Sequence, residues 1–180
     1  MHDKHYNAPQ ENLRAPERIR LLEVDHVVNL CLSGSDIKTV LDVGCGTGLF
    51  SEAFLNEGVT VTGIDINSRM IETAKKAVPG ASFQQGKAED LPFPEDAFDM
   101  VFLAHVLHES DDPLSVLNES KRVSGKAVCI LEWPYQHEAQ GPPLEHRLPI
   151  ETIQKWILEV GFRDWSYSRL IHTDFYRLQT

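Results

Sequence analysis

The chain has 180 residues, 42% hydrophobic and 24% charged, which describes one globular domain able to bury a core without disulfides or metal. Its 17 basic residues stand against 27 acidic ones, a formal net charge of -10 that repels phosphate backbones and anionic lipid. Nucleic acid is therefore not an expected partner. No apolar run approaches membrane-spanning length, so no integral membrane association is expected either.

Met1 to His5 lacks the apolar core of a signal peptide. Cys31, Cys45 and Cys129 are scattered without metal-like spacing and read as reduced thiols. Together these features predict a cytoplasmic protein.

Residues 1–16 are polar and contain Pro9 and Pro16. They read as an arm or lid, and Pro16 can open a helix at its first position. Leu21, Val24, Val28 and Cys31 recur at helical spacing, and Ser33 to Asp36 ends that helix. The predicted organisation is an N-terminal arm and helix over 1–32, able to serve as a lid, followed by one domain over 33–180.

Thr39 to Val43 is a short apolar strand that runs directly into Gly44-Cys45-Gly46-Thr47-Gly48. A helix with Phe50, Ala53 and Phe54 on one face follows, stopped by Gly58. Val59 to Ile66 is a second strand. Ser68 is the expected cap of a helix carrying Met70, Ile71, Ala74 and Val78. Ala81 to Gln85 is a weaker third strand, and Pro92 and Pro94 exclude regular helix after it. Phe98 to Ala104 is a fourth strand. Asp112-Pro113 starts a helix running to about Val123, and Ala127 to Leu131 is a fifth strand. A Pro-containing loop covers roughly 133–149, either a lid or a solvated connection. Ile153, Trp156, Ile157 and Val160 mark a last helix closed by Gly161, before strands near 165–171 and 174–179. Strands alternating with helices imply an α/β fold, a parallel sheet covered on both faces.

The glycine loop lets the chain turn tightly and lets a ligand lie against bare backbone. Asp65, at the end of the second strand, would point at the mouth of that loop. There its two oxygens can accept both hydroxyls of an adenosine ribose; the alternative is a cap for the following helix. Loop and acid together also suit a nicotinamide cofactor. Two features separate the cases. Asp42, at the tip of the first strand, is poorly placed for anionic pyrophosphate and suits a cationic ammonium, or it orients the loop amides. The spacing is also G-x-G-x-G, whereas the dinucleotide fingerprint is G-x-G-x-x-G.

Val40-Leu41-Asp42-Val43-Gly44-Cys45-Gly46-Thr47-Gly48 resembles the first motif of class I S-adenosylmethionine-dependent methyltransferases. Gly63-Ile64-Asp65-Ile66 is similar to their second-strand motif. Ala88 to Pro94 followed by Phe98-Asp99-Met100-Val101 resembles the ubiquinone/menaquinone-methylase-like (type 11) branch. The resemblance spans about residues 38–132.

It implies a Rossmann-like, doubly wound sheet of seven strands in the order 3-2-1-4-5-7-6, with the seventh antiparallel and helices on both faces. It also implies S-adenosyl-L-methionine as cofactor. By position, Asp42, Gly44, Cys45 and Gly46 would hold the methionine part and Asp65 the ribose. Ile66 would pack on the adenine. Ala88, through its amide, and Glu89, through its side chain, would read the adenine edge. Ala104 and His105 would line the methionine and the reaction cleft. Lys87 stands where many relatives carry an acid, which leaves Glu89 as the expected adenine partner or a solvated carboxylate.

Methyl transfer from a sulfonium needs alignment above all, and a base only where the acceptor loses a proton. His105, His108 and Glu109 cluster after the fourth strand, at the sheet's carboxyl edge. His105 is the first candidate for a base or acceptor-positioning group, with His108 beside it; a hydrogen-bonded structural histidine is the other reading. His105 and His108 are spaced to share a helix face, but no third ligand is apparent, so no metal is expected. Glu132 ends the fifth strand and is a further candidate for the cleft. Tyr6 and Arg18 are positioned to contribute from the lid. No inserted substrate domain is visible, which favours a small-molecule acceptor and a monomer or homodimer. The competing readings are a non-catalytic S-adenosylmethionine-binding module and an NAD-dependent oxidoreductase.

Overall fold

The computed structural model describes residues 13–180; Tyr6 and most of the expected N-terminal arm lie outside the described residues. The order of elements is α1 (Pro16–Leu21), α2 (Val24–Leu32), β1 (Thr39–Val43), α3 (Leu49–Asn56), β2 (Thr60–Asp65), α4 (Ser68–Ala77), β3 (Ser82–Gln85), β4 (Phe98–Ala104), α5 (Pro113–Val123), β5 (Ser124–Glu132), α6 (Ile150–Glu159), β6 (Trp165–Arg169) and β7 (Asp174–Gln179). One 7-stranded sheet runs β3-β2-β1-β4-β5-β7-β6. β7 is antiparallel to both neighbours, and the remaining neighbouring pairs are parallel. This is the seven-stranded order that the resemblance implies.

Side-chain alternation along the strands divides the core between the two faces. Val40, Met100, Phe102, Cys129 and Leu131 pack towards α2 and α3. Leu41, Val43, Val101, Leu103 and Ile130 pack towards α5 and α6. Phe102 is the hub of the first face, its ring 4.8 Å from that of Phe50 and 5.2 Å from that of Phe54. Truncating such a ring costs about 3–5 kcal/mol. The same alternation turns Asp42 to the α3 face, and the helix supplies it with a partner.

Four local expectations are corrected. The helix expected from Pro16 to the Ser33 turn is two helices, because Glu23 is left-handed at φ 47°. The break drives Leu22 fully inside, and the Glu23 carboxylate accepts a hydrogen bond from the Ile171 amide at 2.9 Å. α2 buries Val24, Val27, Val28 and Cys31, whereas α1 buries nothing. Asn67, not Ser68, caps α4, accepting from the Arg69 amide at 3.0 Å. β5 begins three residues earlier than expected, at Ser124, directly from the end of α5. β6 ends at Arg169, because the Leu170 amide turns back to the Thr173 carbonyl at 2.9 Å. Within the 133–149 loop, Leu144–His146 forms one turn of 3₁₀-helix.

Candidate active site

β1, β2, β4 and β5 are parallel neighbours or near neighbours, so Val43, Asp65, Ala104 and Glu132 all end at one edge of the sheet. Open α/β sheets bind ligands outside that edge. A cavity of about 930 Å³ lies there. Its walls include Asp42, Gly44, Cys45, Gly46, Asp65, Ile66, Ala88, Glu89, Ala104, His105 and His108, so the expected cofactor-binding and catalytic residues reach one space. Glu132, a further candidate for the cleft, is buried behind it and does not line it.

The three glycines of the loop have different reasons to be glycine. All are left-handed, at φ 70°, 52° and 80° for Gly44, Gly46 and Gly48. A Cβ on Gly44 would stand 2.6 Å from a Val106 methyl, and one on Gly48 would meet Val78 and Phe83 at 3.2 and 3.3 Å. Those two positions are filled by the protein. A Cβ on Gly46 would meet nothing within 4 Å. Bare backbone facing open space is what a ligand approaching the main chain requires.

Asp65 spans the mouth of this loop. Its Oδ2 accepts from the Gly46 amide and its Oδ1 from the Asn67 amide, both at 2.8 Å. A carboxylate offers about four acceptor positions, and two are used here to tie β2 to the glycine loop. Asp42 is buried and receives the Ser51 hydroxyl at 2.5 Å. Burial, with Asp65 nearby, raises its carboxyl to about 7 against the pull of Ser51. Burial also pushes the Cys45 thiol up, with Asp42 and Asp65 adding to it, so Cys45 is a neutral wall and not a nucleophile.

Ile66 is 50% exposed on the cavity wall, a large apolar side chain presented to whatever enters. Glu89 is held by the Ser110 hydroxyl, which donates to Oε1 at 2.7 Å.

The histidines differ sharply. His108 is buried and its Nδ1 lies 2.8 Å from Oε2 of Glu132. Burial acts downward on its pKa, but the charge and hydrogen bond of Glu132, with Glu109 beyond, outweigh burial and hold it above its ordinary value. His105 is half-buried, and both ring nitrogens are screened from solvent without a partner among the described residues. Its pKa falls well below the ordinary value through burial first, then the charges of His108, Arg18 and Arg147. Its ring stacks on Trp133 at 4.5 Å and 19°.

Glu132, expected as a candidate for the cleft, turns out to be an internal acceptor, and two further contributors, Arg147 and Arg14, escaped sequence reasoning. Glu132 accepts from the amides of Leu107, His108 and Trp133, besides the His108 ring. Arg147 is buried under the 133–149 loop and donates to the carbonyls of Pro134, Gln140 and Pro142. Arg14 donates to the Thr47 carbonyl at 3.1 Å and pairs with Glu52, joining the N-terminal segment to the glycine loop. The one available signal was a lone arginine amid prolines and glycines at 141–147.

The profile of a family described as "Methyltransferase domain" matches residues 41–128, which contain this loop, both acids and β4. Residues 41–128 are a methyltransferase domain. Demethylmenaquinone methyltransferase of Renibacterium salmoninarum is 27% identical over 163 residues, 73% of this chain and 69% of that protein. Ubiquinone biosynthesis O-methyltransferase of Haemophilus ducreyi is 41% identical over 93 residues, 47% of this chain and 39% of that protein. That match spans well under half of the length of the second relative. Among solved structures, a SAM dependent methyltransferase from Aquifex aeolicus superposes with a TM-score of 0.81 at 23% identity, over 94% of this chain and 96% of that one. No helix among the described residues is long and apolar enough to cross a membrane.

Proposed function

We propose that this chain transfers the methyl group of S-adenosyl-L-methionine to a small-molecule acceptor. The observation that carries the reading is the pairing of an open, left-handed Gly46 with the Asp65 carboxylate bonded to its amide at 2.8 Å. The residues present fit the cofactor. Asp42, Gly44, Cys45 and Gly46 would hold the methionine part, with Asp42 set against the ammonium. Asp65 would take the ribose. Ile66 would cover the adenine, and Ala88 and Glu89 would meet its edge. Ala104 and His105 would border the sulfonium. The cofactor supplies an electrophilic methyl group, so the chain's task is alignment and exclusion of water.

The acceptor side of the cavity is bordered by His105, His108, Trp133 and the 139–142 segment. A space of about 930 Å³ suits a small ligand beside the cofactor and not a polymer. His105 and His108 are the candidate catalytic groups, and the N-terminal segment and the 133–149 loop the candidate lids. A cytoplasmic location, a monomeric or homodimeric state and the absence of nucleic acid partners belong to the same reading. The net charge of -10 supports the last of these.

Calorimetric titration with S-adenosylmethionine and with NAD, joined to a screen for S-adenosylhomocysteine formation with phenols, thiols, amines and quinone precursors, tests it. Saturable cofactor binding with turnover of at least one acceptor is expected. Cofactor binding without any turnover would favour a non-catalytic binding module, and tight NAD binding alone would overturn the reading.

A further inference from the structure

We propose that the acceptor carries a hydroxyl group, and that its O–H is met by the side chain of His105. The inference rests on the methyl-transfer reading and narrows it to one class of acceptor.

The first observation is the unusual position of His105. A non-glycine residue at φ 60° is strained, and such strain persists where the surroundings hold it for a purpose. Two contacts hold it: the His105 amide donates to the Leu131 carbonyl at 2.8 Å, and the ring stacks on Trp133. Glycine would adopt that backbone without strain. The chain places an imidazole there and gives neither ring nitrogen a partner among the described residues, although both are screened from water. A buried polar atom without a partner in the protein is a place for a ligand's hydrogen bond.

The second observation is the charge around it. His108 is occupied by Glu132 at 2.8 Å, with Glu109 3.8 Å from its other nitrogen. His108, Arg18 and Arg147 set positive charge against His105 and, after burial, keep it neutral. A neutral imidazole offers one N–H and one bare nitrogen. The bare nitrogen is therefore a hydrogen-bond acceptor and a weak base.

Such a base discriminates between acceptors. An alkylammonium must lose a proton of pKa about 10 before its nitrogen can attack, and a base held below the ordinary histidine range takes that proton poorly. A hydroxyl keeps its proton until attack begins. Its oxygen lone pair forms the O–C bond while the C–S bond pair passes to sulfur, leaving neutral S-adenosylhomocysteine. The O–H bond pair stays on oxygen, and the proton, by then strongly acidic, passes to the bare nitrogen of His105 and on to solvent. The proton leaves as the charge on oxygen develops, when even a weak base suffices.

The test uses the full chain saturated with S-adenosylhomocysteine. Catechol, 4-hydroxybenzoate and hydroquinone are titrated against benzylamine, with the His105 ring followed by proton–carbon NMR. S-adenosylhomocysteine release is measured separately with S-adenosylmethionine. The expected result is that at least one hydroxyl probe shifts the His105 resonances and is turned over, while benzylamine does neither. His105→Phe, which keeps a flat ring against Trp133, is expected to lower that turnover at least tenfold. Benzylamine turnover, silence towards every hydroxyl probe, hydroxyl binding that leaves the His105 ring unmoved, or full activity in H105F would each overturn the inference while the methyl-transfer reading stands. Failure of the wild-type chain to bind S-adenosylhomocysteine would instead remove that reading, and the inference with it.

Discussion

Nδ1 of His108 and Oε2 of Glu132 meet at 2.8 Å, with 5% and 1% of the two side chains exposed. The residues sit on different elements, His108 just past β4 and Glu132 at the tip of β5. Their contact fixes the chain segment that carries His105. Because the carboxylate also accepts three backbone amides, it acts as a post around which residues 105–108 are wound.

Removing that post is expected to be costly. Glu132→Leu leaves His108 and three amides without their acceptor, and breaking a buried pair in this way costs about 3–5 kcal/mol. Glu132→Gln keeps an acceptor and loses the charge. Since His108 is held above its ordinary pKa, its contribution to stability is fully present below about pH 6.5 and disappears as pH rises through the folded-state value. The stability gap between wild type and Glu132→Gln should accordingly be widest near pH 6 and shrink above it. NMR titration of His108 should show a lower pKa in the variant. An unchanged His108 titration would contradict this account.

Asp42 shifts stability in the same direction with pH, but through burial rather than through a partner. Its carboxyl is raised from 3.8 to about 7, so between those values the folded chain holds a proton that the unfolded chain has lost. Stability should therefore fall as pH rises from about 4 to 7, by on the order of 1 kcal/mol per unit, and Asp42→Asn should flatten that fall. Urea unfolding at several pH values measures it. If the ammonium of the cofactor lies against Asp42, binding at pH 6 also releases a proton. Calorimetry in buffers of different ionisation enthalpy would detect the release, and its absence would count against the ammonium assignment.

The glycines offer an internal contrast. Gly44→Ala places a methyl 2.6 Å from Val106, so it should lower stability by about 1–3 kcal/mol. Gly46→Ala adds its methyl to open space and should cost only about 1 kcal/mol for the left-handed backbone. Cofactor affinity should respond in the reverse order, with Gly46→Ala the weaker binder at equal folded fraction. Thermal unfolding and calorimetry on the same two proteins separate the effects. Equal affinities would remove Gly46 from the binding surface.

Arg147 governs the covering loop. Its guanidinium donates to three carbonyls and sits 5.7 Å from the Trp133 ring, while a Cβ at Gly141 would lie 2.7 Å from that ring. Arg147→Ala strands those carbonyls, at about 1–3 kcal/mol each that stays out of water. Hydrogen exchange across 134–147 should accelerate, with little change in the distant β2 and β3. Protection equal to wild type would show that the loop closes without Arg147.

What the sequence disclosed followed the range of each interaction. The glycine loop and the strand acids are local patterns, and their spacing alone located Asp42, Gly46 and Asp65. The strands of the buried sheet read clearly because their apolar runs are short and bounded. The break at Glu23 stayed hidden, since nothing in its own neighbourhood demands a left-handed residue. Its carboxylate answers to Ile171, 148 positions away in the chain. The partners of Glu132, and Arg147 altogether, were obscure for a similar reason. A buried charge is invisible until the groups that satisfy it are known, and those of Glu132 lie up to 25 positions away.

The measurement that bears most directly on the whole account is calorimetric binding of S-adenosylhomocysteine to wild type and to Asp65→Ala, each verified as folded by circular dichroism. Wild type should bind at one site, and the variant at least tenfold more weakly, as loss of hydrogen bonds to a charged acceptor implies. Equal affinity in the two proteins, or no binding by either, would contradict it.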